Sequence, residues 1–225
     1  MTQIVVFGIG QWAELAHFYL THDSPHEVVA FTVDRDYYDS NSYKGLPVVL
    51  FDEVEKRFPP SQFQMFIPVS FKQMNHVRAD KYYAAKERGY QLVSYVSSKA
   101  TTFPDFVCGE NCFILEDNTI QPFVKIGNNV VMWSGNHIGH HTVIKDHVMI
   151  TSHVVISGAC IVEPFCFFGV NATVRDETTV ARETLVGMGS TIVKDTQEFE
   201  VYKAGGTRPT GFRSDQVRSL SHKSR

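Results

Sequence analysis

The chain has 225 residues, 43% of them hydrophobic, with 21 lysines and arginines against 24 aspartates and glutamates, for a formal charge of −3. That length predicts one large or two modest domains, and so even a charge balance argues against a large nucleic-acid footprint, which needs a basic excess. No stretch is long and apolar enough to span a bilayer, and Met1 leads straight into a strand-like run rather than a signal peptide.

Residues 1 to about 97 read as alternating strands and helices. Ile4 to Phe7 is a buried strand, followed by a turn and a helix from about Trp12 to Leu20. Val28 to Val33 is a second strand and Pro47 to Leu50 a third; Asp52 to Phe58 is a helix and Phe66 to Val69 another strand. A helix from about Asn75 to Arg88 and a strand from Gln91 to Tyr95 complete the set. Such alternation predicts a small Rossmann-like parallel α/β unit. The first strand ends in Gly8-Ile9-Gly10-Gln11-Trp12-Ala13, where glycines permit a tight turn and close approach of a phosphate to a helix N-terminus. Asp34 ends the second strand, where a carboxylate can accept hydrogen bonds from ribose hydroxyls. The same glycines also serve a plain strand-to-helix turn. The unit is too small for a two-lobed dinucleotide fold, which favours a mononucleotide or nucleotide-sugar over NAD.

From Ile114 onward every sixth residue is bulky and apolar: Ile114, Ile120, Ile126, Met132, Ile138, Ile144, Ile150, Ile156, Val162, Phe168, Val174, Val180, Val186 and Ile192. A second series lies two residues earlier, from Cys112 and Asn118 through Val148 and Cys160 to Ser190, and holds only small or medium side chains. Neither a helix nor an isolated strand keeps such a register; a sustained hexapeptide repeat predicts a parallel β-helix. The large residue fills the interior and the small one sits where the backbone turns. Cys112, Cys160 and Cys166 fall on the small series and read as buried thiols rather than metal ligands, whereas Cys108 precedes the clean repeat. This cysteine usage fits a reducing cytoplasm.

Three hexapeptides make one triangular coil, so residues eighteen apart stack at about one strand spacing (~4.8 Å). His141, His147 and His153 are six apart and fall on three faces, so a zinc site would need histidines from another subunit. His140 stacks between Pro122 and Gly158, and a glycine over an outward histidine leaves room for a substrate beside the imidazole. Spacing alone also reads His140 as an ordinary solvent-facing residue. Asn118 and Asn136 stack as a hydrogen-bonded interior pair. Gly187-Met188-Gly189 strips side chains from one edge, the register dissolves after Val193, and Lys203-Ala204-Gly205-Gly206-Thr207-Arg208-Pro209 follows. That strip suits the pantetheine arm and phosphates of coenzyme A, or else is a loop capping the solenoid. Residues 213–225 form a polar, basic tail.

A nucleotide-binding-like α/β unit followed by hexapeptide repeats resembles the bacterial sugar acetyltransferases, which include sialic acid O-acetyltransferases and N-acetyltransferases of UDP-linked 4-amino sugars. The resemblance covers nearly the whole chain. It rests on Phe7-Gly8-Ile9-Gly10, Val33-Asp34, Ile138 to Ile144, Gly158 and Leu185 to Lys194. It implies a left-handed β-helix and a homotrimer with the active site between adjacent subunits. The expected parts are residues 1–97 for the nucleotide-sugar, 98–195 for the β-helix and 196–225 for a cap and tail.

Residue by residue, the resemblance makes His140 the catalytic base and has Gly8, Gly10, Gln11, Trp12 and Asp34 hold the nucleotide-sugar. Gly158 and Gly187 line the acetyl-CoA cleft, with Lys203 and Arg208 as cationic candidates for its phosphates. Asn75 and Arg78 are candidate acceptor contacts. Two positions depart from the family pattern: His141 stands where an acidic residue often follows the histidine, and the loop Ser70 to Asn75 replaces a short glycine turn. The implied activity is acetyl transfer from acetyl-CoA to a nucleotide-linked amino sugar, without a metal, for surface-glycan biosynthesis. Sugar O-acetylation, a metal-dependent β-helical hydratase and a non-catalytic nucleotide-sugar-binding trimer are the alternatives.

Overall fold

The computed structural model describes residues 2–209, 211 and 213–216. Strand β1 (Gln3–Phe7) has four consecutive buried residues, the mark of a parallel strand covered on both faces. Helix α1 (Gln11–His22) buries Ala13, Ala16 and Leu20 on one stripe, and β2 (Glu27–Val33) pairs with β1 in parallel. An antiparallel hairpin of β3 (Ser42–Tyr43) and β4 (Leu46–Leu50) was not expected. Its turn is Lys44-Gly45, both with positive φ (52° and 76°), the conformation that two-residue hairpins demand. The helix expected over 52–58 is split into a 3-10 turn, Phe51–Glu53, and α2 (Val54–Arg57). Then come β5 (Gln64–Phe66) and α3 (His76–Glu87), and the strand order is β3-β4-β2-β1-β5.

Two expected strands are cut short where the chain leaves this sheet. After Phe66 the backbone is captured by Asn111, whose side chain accepts from Ile67 N at 2.8 Å and donates to Ile67 O at 3.2 Å. Over 91–95 only Leu92 bridges Met65; Tyr95 and Val96 form β6, which pairs instead with Phe113–Ile114 at the head of the repeat stack.

The repeats form three stacks of two-residue parallel strands, each residue paired with one eighteen away: Val131 with Met149, His137 with Val155, Val143 with Ile161. Both expected series are buried along their whole length, and their apolar members form the β-helix core. Asn136 donates to Asn118 Oδ1 at 2.8 Å and accepts from Val154 N at 2.8 Å, as an interior pair should. A third series governs the backbone. Asn111, Asp117, Phe123, Asn129, Gly135, His141, His147, His153, Ala159, Phe165, Asn171, Glu177, Glu183 and Gly189 all have positive φ. The register does not simply dissolve after Val193: Leu185 pairs with Val201, where an unbroken period would place Lys203. The last coil is therefore two residues short, and Thr196 and Asp195 side chains supply acceptors to Ala181 N and Thr179 N in place of strand carbonyls.

The two parts share a core. Phe113, Val131 and Met149 on the outside of the seven-stranded stack pack with Ile4, Leu20, Phe66 and Tyr95. All four cysteines are free thiols. Among the described residues no helix is long and apolar enough to cross a membrane.

Candidate functional site

At the C-terminal ends of β1 and β2 a cavity of about 350 Å³ opens, lined by Gly8, Gly10, Gln11, Trp12, Asp34 and Lys81 among others. This crevice lies where the order β2-β1-β5 changes direction, the usual ligand position in an open parallel sheet. Gly8 has φ +100°, which lets the chain leave the strand and fold back into the helix. Gly10 is the N-cap of α1 and no side chain caps it, so the first amides of the helix face the cavity. Asp34 Oδ1 accepts from Lys81 Nζ at 2.7 Å. Trp12 packs edge-on against Trp133 of the β-helix, with ring centroids 5.4 Å apart, which fixes the cavity wall to the solenoid. Gly8, Gly10, Gln11, Trp12 and Asp34 thus come together as the sequence predicts. Lys81 and Lys72, two cations on the same cavity, were missed. Lys81 reaches the cavity from α3, one helical turn after Val77, so that only the fold brings it to Asp34.

His140 is exposed on the β-helix and does not line that cavity. Its backbone N donates to Gln121 Oε1 at 2.9 Å, and its Nδ1 lies 3.1 Å from Nδ1 of His141. Gly158 stacks as expected: a methyl group there would sit 2.8 Å from His140 Cε1 and 2.9 Å from Nε2. Glycine keeps the space beside the imidazole open.

A second cavity, of about 670 Å³, is lined by Asn171, Gly187, Met188, Gly189 and Lys203 through Thr207. Arg208 is exposed just beyond it. Gly187 has a structural reason to be glycine: a Cβ would lie 2.8 Å from Tyr202 O, because Val201–Tyr202 pairs alongside.

Asn75 and Arg78 require correction as acceptor contacts, since both are wholly buried. The Arg78 guanidinium donates to the carbonyls of Asn129 (3.3 Å), His147 (3.1 Å) and Val148 (3.3 Å) and to Asn75 Oδ1 (3.3 Å). Asn75 Nδ2 in turn donates to Cys166 O at 3.3 Å. They clamp α3 to the solenoid. Burial pulls the Arg78 pKa down to about 9, so it stays charged at neutral pH. Among the described residues no group of three metal-ligating side chains converges, and His141, His147 and His153 take successive corners as expected.

No protein-family model matches the chain. Among solved structures it is similar to the acetyltransferase domain of PglB from Neisseria gonorrhoeae, at 21% identity and TM-score 0.76, over 89% of this chain and 96% of that one. The same domain in complex with acetyl coenzyme A matches over 88% and 94%, also at 21% identity and TM-score 0.76. A point mutant of perosamine N-acetyltransferase from Caulobacter crescentus, in complex with CoA and GDP-perosamine, matches at 20% identity and TM-score 0.77, over 89% and 93%. At these identities the likeness establishes a common fold along nearly the full length of each chain.

Proposed function

We propose that the protein transfers the acetyl group of acetyl-CoA to the amino group of a nucleotide-linked sugar. The observation that carries this reading is the exposed His140 with cleared space at its Nε2, on a chain whose α/β unit holds a separate crevice suited to a nucleotide. It is supported by the shared fold with a PglB domain in complex with acetyl coenzyme A and with a perosamine N-acetyltransferase in complex with CoA and GDP-perosamine. On this reading the β-helix winds left-handed, the α/β unit is Rossmann-like, and residues 1–97, 98–195 and 196–225 divide the work.

The crevice and His140 are separate within one chain, so the sugar reaches the base of a neighbouring copy in a homotrimer. Amides at the start of α1, with Lys72 and Lys81, hold the diphosphate, while Asp34 accepts from the ribose. The Gly187 edge with Lys203 and Arg208 holds CoA. His140 Nε2 takes a proton from the amine as its nitrogen bonds to the thioester carbon. The C–S bond then breaks, and that proton passes to the leaving sulfur. Base catalysis of this kind contributes roughly 10²- to 10⁴-fold. The test is thiol release from acetyl-CoA by wild type and His140→Ala against UDP-, GDP- and dTDP-linked amino and hydroxy sugars. Turnover with one amino sugar, lost in the variant, is expected. Turnover confined to a hydroxy sugar would make the reaction O-acetylation, and undiminished turnover in the variant would remove His140 as the base.

A further inference from the structure

We infer that His141 is a positioning residue for His140, an uncharged acceptor that fixes the imidazole's tautomer and so leaves its Nε2 lone pair free at Gly158. This inference rests on the acetyl-transfer reading of His140. The two Nδ1 atoms are 3.1 Å apart and the rings meet edge-on at 86°. Two ring nitrogens can hydrogen-bond only when one of them carries the proton. If His141 donates, His140 is protonated at Nε2 and has no lone pair there to receive a substrate proton. If His140 donates from Nδ1, its Nε2 is free. The second arrangement also persists once Nε2 is protonated, because an imidazolium still donates from Nδ1 and donates more strongly. The contact therefore tightens as charge develops on His140, which is the condition for it to speed the reaction rather than merely bind.

The surroundings hold His141 to this task. Its φ is 61°, the uncommon left-handed conformation, and it stacks over Phe123, which has φ 68°. The two rings lie 4.7 Å apart, and His141 N donates to Pro122 O at 3.3 Å. The pair faces Gln121, Pro122 and Phe123 of the preceding coil and Gly158 and Ala159 of the next. Among the described residues no carboxylate hydrogen-bonds either imidazole. A control lies two repeats on: His153 sits over Gly135 much as His140 sits by Gly158, yet no side chain hydrogen-bonds it among the described residues. Glycine–histidine stacking recurs; the paired imidazoles distinguish His140.

An uncharged partner has a consequence in pH. The sign of any charge beside His140 sets how readily its imidazolium forms, and so where the acid limb of the rate profile falls. A carboxylate in place of His141 would stabilise the imidazolium and move that limb to higher pH.

The experiment compares wild type, His141→Phe and His141→Glu by kcat and KM across pH, together with ¹⁵N NMR of labelled histidines, His140 being identified by its loss in His140→Ala. Phenylalanine keeps an aromatic ring beside Phe123 and removes the acceptor. It is expected to lower kcat on the order of 10- to 100-fold with both KM values nearly unchanged, and to release the Nδ1-protonated tautomer of His140. Glutamate is expected to restore most of kcat with the acid limb displaced upward by about one pH unit or more. A wild-type kcat and unaltered His140 tautomer in His141→Phe would overturn the inference. Absence of turnover in wild type would count against acetyl transfer, and there the NMR decides separately: a tautomer fixed in wild type and freed in His141→Phe sustains the positioning role, and one unaffected removes it.

Discussion

His141 and His147 occupy the same place in successive repeats, with φ of 61° and 63°, yet they live in opposite surroundings. His147 is 2% exposed, with α3 laid across it. Tyr83 OH lies 2.9 Å from its Nε2, Asn129 Nδ2 lies 2.9 Å from its Nδ1, and Phe165 stacks on the ring at 4.7 Å. Among the described residues nothing comparable covers His141, whose ring meets Phe123 and His140. One corner is sealed by a helix from another part of the chain, and the other is left open. The repeat gives each histidine an address; what docks there decides whether it serves stability or chemistry.

That contrast breaks most visibly at the sealed corner. Arg78→Ala is expected to cost about 2–4 kcal/mol in urea unfolding, because it strips the donor from the buried carbonyls of Asn129 and His147. A loss under about 1 kcal/mol would mean that α3 is not clamped there. The open corner should respond in rate instead. Gly158→Ala places a methyl group 2.8 Å from His140 Cε1 and forces the ring aside, lowering kcat by up to about 10²-fold. Its melting temperature should match wild type, since the backbone at Gly158 is not left-handed. A smaller effect is expected at the crevice. Asp34→Asn removes a charged acceptor and should raise KM for the nucleotide-sugar roughly tenfold with kcat preserved; a fall in kcat alone would place Asp34 outside nucleotide binding.

The interior of the solenoid was legible because each inward position selects a side chain by size, and size is written in residue type. The third series was not. Its requirement is a backbone angle, met by Asn, Asp and Gly but also by Phe123, Phe165 and three histidines, so no common side-chain property marks it. Arg78 was misread for a different reason: the carbonyls that claim it belong to residues far along the chain, and a polar residue near a helix start looks the same whether it faces ligand or core. The Gln91–Tyr95 run failed similarly, since one apolar stretch serves two sheets in turn. The glycine turn, Asp34 and the Gly158 stack were readable because each depends on local sequence or on fixed repeat spacing. Lys81, forty-seven residues from Asp34, depends on neither.

The finest test of the contrast is stability against pH. Burial, with Arg78 nearby, holds the His147 pKa down at about 4, despite an opposing pull from Asp146. His76 and Arg182 also oppose a second charge there, and the facing Tyr82 stays neutral, its hydroxyl pKa pushed up by burial beside Glu110. An imidazole in the unfolded chain titrates near ~6.5, so between these values the unfolded state binds the proton first. The stability that His147 contributes is therefore complete above about pH 6.5, declines as pH falls toward about 4, and levels off below. Its slope is at most about 1.4 kcal/mol per pH unit for one proton. His147→Gln should flatten urea-unfolding stability between pH 6.5 and 4.5 while leaving a residual slope, because burial also lowers the pKa values of His17 and His26. The rate profile should be unchanged in this variant, since His147 bonds to Tyr83 and Asn129 rather than to His140 or His141. If His147→Gln moved the rate profile and left the stability profile unchanged, the open and sealed corners would have exchanged roles, and docking by α3 would no longer explain the difference between them.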